Sequence, residues 1–242
     1  PCYALLWEGH FGAFYRIDEN VNITKLGCAL ENPGDRFAFL YALADPTFTL
    51  GAGQIRLSDA GKLMALAAYG KNGDIDEDAR HIITTLLDNN LNFRKLHKRL
   101  FQNNIYYNIG LDDPRLATLA HHLSNAIFNL FRDFVQEIVF DRAPLLIVGG
   151  CGLNCDWNSK WIETQLFTDV FIPPCTNDSG SAIGTAIDAL LHTKGIAKIT
   201  WSPYAGELSQ NDTDNTGTFI SEPYDIRRVA RLLHEGCILG WV

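Results

Sequence analysis

The spacing of apolar residues changes several times along the chain, and each change marks an element. Residues 3–18, YALLWEGHFGAFYRID, carry two aromatic-rich runs on either side of Glu8-Gly9-His10-Phe11-Gly12. That pattern predicts a β-hairpin with a glycine-bearing turn. Phe37 to Leu43 reads as helix. Ser58-Asp59-Ala60 is placed to cap a helix from Gly61 to Tyr69, closed by Gly70. Residues 76–102 read as helix with a charged face. Asp112-Asp113-Pro114 starts the longest helix, over about 114–139. Its apolar positions Leu116, Leu119, Leu123, Ile127, Leu130, Phe134 and Ile138 hold a period near 3.6.

Two strand–loop–helix units follow. The strand Leu145 to Val148 ends in Gly149-Gly150, and a helix begins near Asn154. The strand Val170 to Ile172 meets the stop Pro173-Pro174, then the polar loop Thr176-Asn177-Asp178-Ser179, then a helix rich in small residues. Successive units of this kind bring both loops to the carboxyl edge of a parallel sheet, where ligands bind. Glycines there let the backbone approach a ligand, and the following helix offers free N–H groups. Gly149, Gly150, Asn154 and Asp178 are therefore expected around one site. Each also has a plain structural reading. The glycine pair can serve a tight turn, and Asn154 or the 177–179 loop can cap a helix.

Other candidates are weighed the same way. The amides of the Glu8-Gly9 turn can fold over phosphates, or the turn can be a turn only. Lys62, beside Gly61, can snorkel at the surface or neutralise a phosphate. His121-His122-Leu123-Ser124-Asn125 resembles a metal motif. On a helical projection, however, His122 and Asn125 lie opposite the apolar stripe and are expected to face solvent. Cys151 and Cys155 lack a histidine partner at suitable spacing and are expected to be buried, inert thiols.

Residues 202–224 are polar and turn-rich and read as a linker. Asp225 to His234 looks like a short amphipathic helix leading into a strand at CILGWV, and the sequence reads as a segment of a longer protein. The bulk figures narrow the picture further. At 242 residues, 47% hydrophobic and 20% charged, the chain can build one large domain or two small ones. A net charge of −8 gives no reason to expect a nucleic-acid partner. Six cysteines without a CxxC pair suit reduced thiols and a cytoplasmic location. No apolar run long enough for a membrane span and no signal-peptide pattern is present.

Several segments together resemble one family. AGKLMALAAYG (60–70), LLIVGGCGLNC (145–155) and VFIPPCTNDSGSAIGTAI (170–187) are similar to the NodU/CmcH-type O-carbamoyltransferases. WEGHFGAFYRID (7–18), SPYAGEL (202–208) and GCILGWV (236–242) fit in the same order. The resemblance implies an α/β, actin-like or sugar-kinase-like (ribonuclease H-like) ATPase subdomain over 1–201, with a mixed sheet and flanking helices. A linker at 202–224 and the start of a YrdC-like domain at 225–242 would follow. In such proteins ATP activates carbamoyl phosphate to carbamoyl adenylate, and the carbamoyl group then passes to a hydroxyl of a small-molecule acceptor.

By motif, Asp178 matches a residue that completes a divalent metal site, most often iron, and would be catalytic. Gly149, Gly150 and Asn154 match the nucleotide-contacting loop, and Gly61 and Lys62 sit in the segment lining the nucleoside side. Glu8-Gly9 stands where most members have Asp-Gly. The family's paired metal histidines, HHxxHA, precede the first strand and are absent here; HHLSNA at 121–126 only imitates them. The segment alone is therefore expected to be inactive. Two other readings are a relative of the tRNA threonylcarbamoyl-transfer protein and a non-catalytic, nucleotide-binding actin-like module.

Overall fold

The computed structural model describes residues 1–195, 198–199 and 223–239. The chain divides into two units, Pro1–Ile199 and Thr200–Val242. In the first, β1 (Cys2–Trp7) and β2 (Gly12–Ile17) form the expected hairpin, with Leu5 opposite Phe14 and Trp7 opposite Gly12. β3 (Ile23–Cys28) pairs antiparallel with β2. β4 (Leu145–Val148) runs parallel to β1, and β5 (Val170–Phe171) runs parallel to β4. The sheet order is β3-β2-β1-β4-β5, so this is an α/β unit with a mixed five-stranded sheet and flanking helices. β3 was not legible in the sequence. ITKLGC lies at the sheet edge with every residue exposed or half-buried, so no inward-facing alternation marks it.

The register puts Tyr3, Leu5, Trp7, Phe14, Leu145 and Ile147 on one face, all fully buried. α4 (Pro114–Ile138) and α5 (Cys155–Glu163) supply the matching aromatic layer. Trp7 stacks on Trp157 at 4.6 Å and lies 4.9 Å from Phe131, while Trp161 meets Phe128 edge-on at 5.0 Å. The Trp157 indole donates to Ser124 Oγ at 2.9 Å, which satisfies its one polar atom in the core. α4 starts as its sequence dictates: Asp113 accepts from the Arg115 N–H, Pro114 occupies the first turn, and Leu116, Leu119, Leu123, Ile127, Phe131 and Val135 form the buried stripe.

α1 (Pro33–Ala44), α2 (Ser58–Ala67) and α3 (Glu77–Leu87) complete the helical part. α1 extends the expected Phe37–Leu43 helix at both ends. Its Arg36 is fully buried and donates to the carbonyls of Glu31, Leu86 and Asp88 at 2.7–2.8 Å. The bonds to Leu86 and Asp88 close the end of α3, where helix carbonyls lack partners of their own.

Three expectations need correction. Ser58-Asp59-Ala60 does not cap α2: the helix begins at Ser58 without a side-chain cap, and buried Asp59 instead accepts from Arg56 at 2.8 Å. The helix over 76–102 stops at Leu87, and only short 3-10 turns at Phe93–Lys95 and Lys98–Phe101 follow. Asp88 accepts from the Asn90 N–H at 2.8 Å, an Asx turn that competes with helix continuation. His122 and Asn125 are half-buried rather than solvent-facing. Asn125 accepts from Lys160 at 2.6 Å and donates to His121 at 2.9 Å.

In the second unit, α7 (Ile226–His234) is capped by Asp225, which accepts from the Arg227 N–H at 2.9 Å. The linker assigned to 202–224 lies outside the described residues except for 223 and 224. Among the described residues, no helix is long and apolar enough to cross a membrane.

Candidate functional site

The site grows from the carboxyl end of β1. There the chain turns through Glu8–Phe11, with the Glu8 N–H donating to the Phe11 carbonyl at 2.7 Å. Alongside, β4 ends at Gly149, whose φ of 103° is a conformation that side-chain-bearing residues rarely adopt. A Cβ at Gly149 would also stand 2.3 Å from the Trp7 carbonyl oxygen. Glycine here is therefore required for β4 to lie so close to the hairpin. Thr176, ahead of the Asp178 loop, accepts from the Gly149 N–H at 2.7 Å through its carbonyl. The hairpin turn and the loops after β4 and β5 are thus gathered at one edge of the sheet.

Glu8 joins two of these loops. Its carboxylate accepts from the Gly9 N–H at 2.8 Å and from the Gly150 N–H at 2.5 Å. Two main-chain donors from separate loops converge on one anionic group. A Cβ at Gly150 would come within 2.8 Å of that carboxylate.

These loops line a cavity of about 410 Å³, within the size range of small-molecule sites. Glu8, Gly9, Gly61, Gly150, Asn154 and Asp178, all singled out from sequence, contribute to its wall. Gly149 lies just beneath, against Trp7. Lys62 is not part of the wall; it turns to Asp59 at 3.4 Å and lies over the Tyr41 ring. Asn154 is buried and caps α5, its side-chain oxygen accepting from the Trp157 N–H at 3.2 Å. Asp178 is exposed at the cavity, and its carboxylate has no hydrogen-bond or ion-pair partner among the described residues. It caps nothing: α6 (Ser181–Lys194) begins without a side-chain cap.

Sequence reasoning missed the part of the wall made by Gly34, Asp35, Phe37, Ile55 and Met64. Asn32-Pro33-Gly34-Asp35 carries a helix-start signal, with proline in the first turn and an acid behind it, and could have placed α1 beside the hairpin. Asp35 is the notable member. Its side chain is 3% exposed and lies 2.6 Å from the His10 Nδ1, while the His10 side chain is 72% exposed. Burial pushes the Asp35 carboxyl above its ordinary value; the His10 ring pulls it back in part, and Glu8 adds a smaller upward push. Burial also drives the Cys151 thiol well upward, with Glu8 and Asp35 adding to it, so this thiol stays protonated and unreactive. Cys155, expected to be buried too, is exposed. Its position in the first turn of α5 faces away from the Trp157–Trp161 side.

The described residues do not form a metal site by themselves. Asp178 is a single exposed carboxylate, and among the described residues no group of three or more His, Cys, Asp and Glu side chains could hold an ion. His121 and His122 are not in the cavity wall; His121 instead contacts Ala67 and Asn72, at 3.3 and 2.7 Å. The Gly9 and Gly150 N–H groups converge on the Glu8 carboxylate, so this edge of the cavity presents main-chain donors to an anionic group.

Comparison with known proteins agrees with the motifs. The family model "Carbamoyltransferase N-terminus" matches residues 5–187. The chain is 41% identical over 239 residues to a 3'-hydroxymethylcephem-O-carbamoyltransferase of Amycolatopsis lactamdurans, covering 98% of this chain and 46% of that protein. It is 40% identical to the protein of that name from Streptomyces clavuligerus, with the same coverage. It is 29% identical to nodulation protein U of Azorhizobium caulinodans, over 96% of this chain and 44% of that protein. The chain thus spans about half the length of these curated relatives. With the family model covering most of its length, the chain belongs to the carbamoyltransferase family, in the part described as its N-terminus.

Proposed function

We propose that the cavity is the nucleotide-facing part of an O-carbamoyltransferase. The convergence of the Gly9 and Gly150 amides on one anionic group at its wall carries this reading. Water cleaves carbamoyl phosphate to carbamate and phosphate, the carbamate oxygen attacks the α-phosphate of ATP to give carbamoyl adenylate and pyrophosphate, and the carbamoyl group passes to a hydroxyl of a small-molecule acceptor. A YrdC-like domain in the same full-length chain performs the activation. The location is the cytoplasm, which suits the exposed free thiols Cys28, Cys155 and Cys237.

The fold reading beneath this is actin-like and ribonuclease H-like. It is supported by the sheet order, in which β2 alone runs against its four companions, and by a hairpin turn facing the loop after β4. The chemistry follows from the donors. Fixed main-chain N–H groups hold phosphate oxygens without reorganising. Glu8 holds those donors in the ligand-free chain, so a phosphate reaches them only by displacing its carboxylate. No step is assigned to a metal, because the described residues do not by themselves make a site for one.

The acceptor class is taken from the relatives named for a cephem 3'-hydroxymethyl group. The test is direct. The full-length protein, ATP, carbamoyl phosphate and a 3'-hydroxymethyl cephem should give the O-carbamoyl product together with AMP, pyrophosphate and phosphate. Nucleotide binding without ATP consumption, whatever hydroxyl compound is supplied, would leave the non-catalytic module as the better reading.

A further inference from the structure

Part of the cavity wall hangs on a single polar tie. Ile55, Leu57 and Ser58 line the cavity where the chain enters α2, and Gly61 and Met64 continue the wall along that helix. Arg56 stands between two of these residues and does not line the cavity itself. Its guanidinium pairs instead with two carboxylates: Nη2 with Asp45 Oδ2, and Nε with Asp59 Oδ2 at 2.8 Å. Asp45 follows the last residue of α1, and Asp59 lies in the first turn of α2. Among the described residues, the contact with Asp45 is the one hydrogen bond or ion pair that joins residues 54–58 to an element other than α2. We infer that Arg56 is a positioning residue for the nucleotide, holding the Ile55–Ser58 stretch of wall in place by tying the start of α2 to the end of α1; this rests on the reading above.

An arginine between two acids can be a surface staple and no more, and an exposed pair contributes little. This pair is not of that kind. The Asp59 side chain is 0% exposed and that of Asp45 6%. Asp45 is also arranged in advance. Its Oδ1 accepts from the Thr47 N–H and Oγ1 at 2.8 and 2.7 Å, and its carbonyl accepts from Lys98 at 2.6 Å, which leaves Oδ2 to face Arg56. Burial alone would push the Asp45 carboxyl up, but the hydrogen bonds from Arg56 and Thr47 outweigh it and bring the group down to about 2. The pair is therefore charged at any pH at which the protein works. The guanidinium also lies over the Phe48 ring, 5.2 Å from its centroid.

The local structure offers no substitute. α2 begins without a side-chain cap, so no other polar contact fixes its first turn. α1 lends Phe37 and Ala38 to the same cavity, so the tie between α1 and α2 bears on the space that the two helices enclose. A planar guanidinium serves two carboxylates at once, whereas a lysine ammonium is a point charge on a flexible stem. Arginine is thus the residue type suited to fixing both helix ends together.

The test uses the full-length protein and AMP, the product that leaves the proposed cavity. Inhibition by AMP of carbamoyl transfer and of pyrophosphate release is measured side by side, with unfolding midpoints. Arg56→Gln should raise the AMP inhibition constant for transfer about 10-fold, a modest loss of fit on the scale of pocket contacts. The maximal transfer rate should stay within about twofold of wild type, since binding and not the chemical step is disturbed. Arg56→Lys should recover part of the lost affinity. Pyrophosphate release and its inhibition should be unchanged in both variants. A staple alone would lower the midpoints in the same order and leave the AMP constant at its wild-type value, and that result would overturn the inference. An equal rise in the constants for transfer and for pyrophosphate release would overturn it too. Removing Arg56 strands two buried carboxylates, so Arg56→Gln can fail to fold; Arg56→Lys keeps a cation there, and a wild-type AMP constant in that variant would then be the overturning result. If AMP does not inhibit transfer by the wild-type protein, the nucleotide reading of the cavity falls, and the role of Arg56 with it.

Discussion

The units β4–α5 and β5–α6 share one sequence signature and end up in opposite environments. Both run from an apolar strand through a polar loop into a helix. β4 is a full strand paired on both sides, and α5 buries Trp157 and Trp161 completely or nearly so. β5 is two residues long, and α6 buries none of its fourteen residues. Yet α6 is the more apolar helix by sequence, with Ile183, Ile187, Leu190 and Leu191 on it. The signature therefore fixes the element and not its burial. Burial depends on what stands opposite, and α5 has the Trp7–Phe131 layer opposite it.

The largest expected contrast comes from truncating one apolar side chain in each helix. Trp161→Ala should cost about 3–5 kcal/mol, because it empties a site among Trp7, Phe14, Phe128 and Phe167. Ile187→Ala should cost less than about 1 kcal/mol, since its side chain is only partly covered. Urea midpoints at unchanged m would report both. Comparable losses would mean that α6 is packed in solution, and the contrast would be gone.

The same contrast explains what could be read in advance. The hairpin, α4 and β4 were legible because their buried positions recur at period 2 or 3.6 against a single partner surface. β3 was not, since an edge strand with no buried residue leaves no such pattern. The cavity was half legible. Gly149, Gly150 and Asp178 follow strand ends, where loop chemistry points to the carboxyl edge of the sheet. Asp35 and Ile55 reach the same cavity from α1 and from the segment before α2, and that placement depends on the hairpin turn being bonded to α1. Lys62 shows the converse error. A neighbour of Gly61 in sequence, it points a different way and is held by buried Asp59.

The second contrast has opposite signs. Gly149→Ala should destabilise by about 2 kcal/mol or more, since its φ of 103° and the Trp7 carbonyl 2.3 Å from the new Cβ both oppose it. Gly184→Ala, inside α6 with no atom within 4 Å of the new Cβ, should stabilise that helix by about 1 kcal/mol. Thermal unfolding together with hydrogen exchange along α6 would separate the global loss from the local gain. A gain at Gly149 would mean that the turn joining β4 to the hairpin is looser than its hydrogen bonds imply.

The smallest contrast compares the two loop residues that face the cavity. Asn154→Ala removes the oxygen that accepts from the Trp157 N–H and should cost about 1 kcal/mol, the usual value of a lost helix cap. Asp178→Asn should change stability by less than about 0.5 kcal/mol, because its carboxylate is exposed and bonded to nothing among the described residues. The substitution keeps the shape and removes the charge, so it separates structure from chemistry at that loop. If Asp178 acts on a ligand in the cavity, Asp178→Asn lowers transfer by the full-length protein while its unfolding midpoint stays put. If transfer and midpoint both match wild type, Asp178 is a solvated rim residue, and the working part of the site lies with Glu8 and Asp35 on the hairpin side. A midpoint that falls as far as in Asn154→Ala would show that the carboxylate holds the loop after all, and the two units would be more alike than their burial suggests.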